Sequence, residues 1–65
     1  MNKIKKGDMI RCVTSPMGDC FMVGCDYQVD KVDSEGFVYC YNDSGEKCAI
    51  DFPIDPDYGK FEKVD

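Results

Sequence analysis

The chain has 65 residues, thirteen of them acidic and eight basic, for a net charge of −5, with five cysteines and no histidine. That length supports one domain with one thin core, because leucine and tryptophan are absent and the large aliphatic and phenyl side chains are six valines, four isoleucines and four phenylalanines. Lacking histidine, the chain lacks the commonest general base and imidazole metal ligand, which makes ordinary acid–base catalysis the least expected activity.

Taken from the start, Lys3, Lys5 and Lys6 are followed at once by Gly7 and Asp8, where a secretory signal needs an apolar run of roughly 7–15 residues. The longest apolar stretches, residues 20–24 and 37–41, fall far short of the roughly 20 residues of a membrane span. No targeting or membrane segment is expected, and the cytoplasm is the expected address. Residues 9–14 are rich in β-branched and apolar side chains between two turn-like segments, Lys6-Gly7-Asp8 and Ser15-Pro16-Met17-Gly18-Asp19, and predict a first strand. Residues 20–25 are apolar too, but Gly24 points to a close backbone approach or a bulge rather than a regular strand.

Alternation through Tyr27, Val29 and Lys31 predicts a second strand with a slip in facing near its end. Asp33-Ser34-Glu35-Gly36 is a turn with glycine available for positive φ, and residues 37–41 return as an aromatic strand. A second such turn, Asn42-Asp43-Ser44-Gly45, leads into residues 46–52. Asn42-Asp43-Ser44 also fits a glycosylation sequon, but these are the residues that the turn itself wants. Pro53 and Pro56 argue against a central strand and predict a loop or one short 3₁₀ turn, before residues 61–64 close the sheet. The expected fold is all-β, a single domain over residues 1–65 built as a small five-stranded antiparallel, strongly bent sheet or partly open barrel.

Cys12, Cys20, Cys25, Cys40 and Cys48 are an odd set that cannot all pair within one chain, and free thiols are expected in a reducing compartment. The closest two, Cys20 and Cys25, have four residues between them and lack C-x-x-C spacing, so neither a metal nor any other cofactor is expected. The acids Asp51, Asp55, Asp57 and Glu62 cluster near the end, but Gly59 and Glu62 come too early for a calcium loop opening at Asp55. The six glycines stand singly at turns and form no phosphate loop. Nucleic acid is an unlikely partner for a chain of this charge, although eight phenylalanines and tyrosines offer stacking faces.

Residues 37–41 carry the most information. A period of two puts Phe37, Tyr39 and Tyr41 on one face and Val38 and Cys40 on the other. A narrow interior filled by Val38, Cys40, Cys12 and Ile10 turns the rings outward as a docking stripe, whereas the opposite phase buries them. Tyr58 either extends that stripe or caps one end of the sheet.

The order Lys6-Gly7-Asp8-Met9-Ile10-Arg11-Cys12, Gly24, Tyr27-Gln28-Val29, Gly36, Asn42-Asp43-Ser44-Gly45 and Phe61-Glu62-Lys63-Val64 resembles the small Src-homology-3-like barrel proteins encoded by bacteriophages and prophages. The resemblance spans nearly the whole chain, apart from the apolar, thiol-rich residues 20–25. It implies a partly open barrel and expression in the host bacterial cytoplasm, in a family whose members mostly have no assigned activity. The expected function is that of a non-enzymatic accessory module, a monomer or weak homo-oligomer, that binds a host or phage protein through Phe37, Tyr39, Tyr41, Tyr58 and neighbouring acids. Two alternatives stand beside it: a small metal or ligand site built from clustered cysteines, and an acidic mimic of nucleic acid.

Overall fold

Glycines at turns and β-branched residues between them leave little for a helix to use. The computed structural model, which describes residues 4–16 and 20–64, is all-β with no helix among those residues. Its strands are β1 (Met9–Cys12), β2 (Asp26–Val32), β3 (Phe37–Tyr41), β4 (Lys47–Asp51), β5 (Ile54–Asp55) and β6 (Gly59–Val64). They pair antiparallel in the order β4-β3-β2-β1-β6-β5, a four-stranded part and a three-stranded part that share β1. The outermost strands β4 and β5 do not pair, so the sheet is unclosed.

Among the described residues six strands replace the expected five. The extra one is β5, and the expected 3₁₀ turn is instead this two-residue strand followed by a turn at residues 56–58. The prolines that argue against a central strand are compatible with an edge one, where a missing N–H breaks no ladder. The Phe52–Pro53 peptide bond that turns β4 into β5 is cis. Asp55 supports the corner from below: its Oδ2 accepts the Asp51 N–H at 2.8 Å, and its Oδ1 accepts the N–H groups of Asp57 at 2.8 Å and Tyr58 at 3.0 Å.

The two hairpins are built alike. At Asp33 and at Asn42 the side-chain Oδ1 accepts the N–H groups two and four residues on, at 2.9 and 3.0 Å in the first turn and 2.9 and 2.9 Å in the second. In each, the glycine three residues on, Gly36 or Gly45, has positive φ, at 90° and 83°. β3 is therefore pinned at both ends. Its register with β4 sets Val38 against Ile50 and Cys40 against Cys48, all four facing inward. The slip in β2 is a bulge at Asp30, between the pairs Val29↔Cys40 and Lys31↔Tyr39.

The interior departs from the expected small-residue filling. Ile10, Cys12, Val38 and Cys40 do face inward, but Phe21, Tyr27 and Phe61 are buried with them. Phe21 lies outside any strand and meets Tyr27, Phe61 and Tyr58 edge to face, with ring centroids 4.9, 5.2 and 5.5 Å away. The chain reaches this position through a turn in which the Cys25 N–H bonds the Met22 carbonyl at 3.1 Å, with Gly24 at φ 89° and its own N–H on the Cys12 carbonyl at 2.8 Å. Gly59 serves close packing: a Cβ there would collide with the Thr14 carbonyl and the Pro16 ring.

Replacing Phe21 by alanine is expected to remove about 3–5 kcal/mol of stability, much of what so small a domain has, seen as a lower urea midpoint. Acid should act through Asp55. Burial raises its pKa, but the Asp51, Tyr58 and Asp57 N–H groups outweigh burial and hold it below the ordinary 3.8. A carboxyl depressed in the folded state contributes stability above its unfolded pKa and loses it as pH falls through the folded one. Asp55→Asn is expected to lower neutral-pH stability by about 1–3 kcal/mol and to flatten the decline below pH ~4, as measured by denaturation across pH.

Candidate functional site

β3 settles the phase of its alternation. Val38 and Cys40 are buried at 1% and 0% exposure, Phe37 and Tyr39 are half-buried on the outer face, and Tyr41 is 50% exposed. The rings of residues 37–41 share one face but differ in what they are free to do. Tyr39 is engaged within the chain: Lys31 Nζ lies 4.7 Å and Lys47 Nζ 5.9 Å from its ring centroid, and its hydroxyl donates to Asp33 Oδ2 at 3.1 Å. That bond to a carboxylate raises the Tyr39 pKa. Lys47 in turn bonds Asp30 Oδ2 at 3.0 Å, and this contact raises the lysine pKa. Register explains the arrangement, since Lys31 and Ala49 flank Tyr39, and Lys47 lies across from Tyr41.

Tyr58 does not join this stripe. It is half-buried, packs against the core at Phe21 and lies beside Cys48, whose hydrogen bond and burial push its hydroxyl up to about 12. Tyr27 is inside as well, accepting the Met22 N–H at 2.9 Å and donating to Asp43 at 3.0 Å, and burial first, then Asp43, pushes it up to about 12. Tyr41 is thus the exposed tyrosine, and its hydroxyl makes no hydrogen bond among the described residues.

Beside Tyr41 lies a cleft of about 310 Å³, lined by Lys6, Gly7, Gln28, Val29, Asp30 and Tyr41. One wall is the turn of residues 5–8, with the Asp8 N–H on the Lys5 carbonyl at 3.1 Å and Gly7 at φ 93°. The Gly7 N–H reaches the Val29 carbonyl at 2.9 Å and the Val29 N–H the Asp8 carbonyl at 2.8 Å, fastening the turn to β2. Sequence reasoning did not find the cleft. The signal was present in Lys6-Gly7-Asp8, whose glycine makes the turn and whose lysine it leaves at the rim. The acids expected around the rings are engaged too: Asp30 pairs with Lys47 and Asp33 accepts from Tyr39, so the charged groups over the Tyr39 ring are lysines.

Among the cysteines, Cys12, Cys40 and Cys48 are buried, Cys20 is half-buried and Cys25 is exposed. Burial, helped by neighbouring Cys48, pushes Cys40 up to about 12. Among the described residues no three acidic or thiol side chains converge to hold a metal ion, and no helix is long and apolar enough to cross a membrane. Comparison with protein-family models, curated proteins and solved structures finds no match.

Thiol accessibility offers a direct check. In native buffer an aromatic disulfide reagent is expected to modify Cys25 fast, while Cys12, Cys40 and Cys48 react only at the rate of unfolding, as peptide mapping of the labelled protein would show.

Proposed function

We propose that this chain is a non-catalytic protein-binding module that docks a partner on the outer face of β2 and β3, with Tyr41 as the anchor. One observation carries the reading. Tyr41 is an aromatic side chain half exposed beside a cleft, on a rigid strand, while Tyr27, Tyr39 and Tyr58 are engaged within the chain. Tyrosine combines large contact area with few rotamers, which makes it an economical anchor, and a strand pinned at both ends presents it with little ordering cost.

The setting we propose is that of a phage-type accessory protein in a bacterial cytoplasm, on a Src-homology-3-like partly open barrel. The support is the sequence resemblance, and the strand order is compatible with it. A non-enzymatic role accords with a chain without histidine whose inner thiol Cys40 is pushed far from its reactive form.

Tyr41→Ala is expected to leave thermal stability within about 0.5 kcal/mol of the parent, since the ring packs little. The same variant should lose the partner that the parent retains from a bacterial lysate. Retention of the same partner by folded Tyr41→Ala would remove the basis of the reading.

A further inference from the structure

We infer that the segment seated in the Tyr41 cleft presents a carboxylate beside an apolar side chain, that is, an acidic and apolar stretch of a partner protein. The inference rests on the docking reading above and deepens it.

Charge inside the cleft runs against the charge of the chain. The protein carries −5, yet the lining holds Lys6, which makes no ion pair among the described residues, and Asp30, whose charge is met by Lys47 at 3.0 Å. What remains uncompensated is one ammonium group. The Gln28 side-chain amide and the Tyr41 hydroxyl, neither hydrogen-bonded among the described residues, line the same space and add neutral donors. An ammonium, an amide and a phenol around one opening suit a carboxylate, while the exposed Tyr41 ring offers apolar contact next to it. A basic segment would bring its cation against Lys6, and the only acid among the described lining residues, Asp30, already faces Lys47.

The same charges disfavour a nucleic-acid strand. A polyanion extends past the cleft toward the turns at either end of β3, where Asp33 and Glu35 stand at one and Asp43 and Glu46 at the other. A single carboxylate stays within about one Debye length of Lys6 and avoids that repulsion.

Short synthetic peptides in three sets test this by fluorescence titration against the parent, Lys6→Glu and Tyr41→Ala: glutamate beside a large apolar residue, lysine beside the same residue, and the apolar residue alone. The acidic set is expected to bind the parent most tightly, to weaken about tenfold with Lys6→Glu and to weaken as salt is raised. Tyr41→Ala should weaken it as well. Preference for the basic or uncharged set, with dependence on Tyr41 kept, would overturn the inference and leave the docking reading standing. Displacement of the acidic peptide by a single-stranded oligonucleotide at equal concentration would overturn it in favour of nucleic acid. Binding by no set, or binding indifferent to Tyr41→Ala, would overturn the docking reading and the inference together.

Discussion

The Phe21 ring presents itself edge to face to Tyr27, Phe61 and Tyr58, and so ties β2, β6 and the turn before β6 to a segment that belongs to no strand. A chain without leucine or tryptophan has few ways to fill the space between curved strands, and perpendicular rings fill it with favourable quadrupole contacts. Much else follows from that placement. Tyr27 is held where its hydroxyl can join the Met22 N–H to Asp43, and the Asp43 N–H bonds the Cys20 carbonyl at 3.2 Å, so the loop carrying Phe21 is fixed at both its neighbours. The interior is a ring cluster at one side and a small aliphatic and thiol layer under β3 and β4 at the other.

Local chemistry made the middle of the chain legible. Two Asx-plus-glycine turns and a period-two strand between them can be read from residues 33–46, because each instruction lies within a few residues of its effect. Phe21 was not legible in the same way: its role depends on Tyr27, Tyr58 and Phe61, up to forty positions away in the chain, and nothing near it announces burial. β5 was missed for a different reason. Two prolines signal a break in a ladder, but they do not tell an edge strand from a loop. At the site, alternation identified the face of Phe37, Tyr39 and Tyr41, whereas the engagement of Tyr39 by Lys31, Lys47 and Asp33 depends on the bulge at Asp30 and the register with β4.

Function, on the reading proposed, sits where the scaffold is firm. β3 has matching turns at its ends and two flanking strands, and the Gly7 and Val29 backbone bonds hold the cleft wall against β2. A binding surface built this way needs little rearrangement to receive a partner, and its side chains are aimed before contact.

Asp55 has a wider effect than holding a corner together. β4 lies at the border of the sheet, and the Asp51 amide that its carboxylate occupies would otherwise stand open to a strand from another molecule. With that donor taken and Pro53 just beyond it, the border offers a foreign chain only a short, interrupted run of backbone to zip onto. A single buried acid thereby shortens the stretch of open backbone that this border presents to a strand from outside.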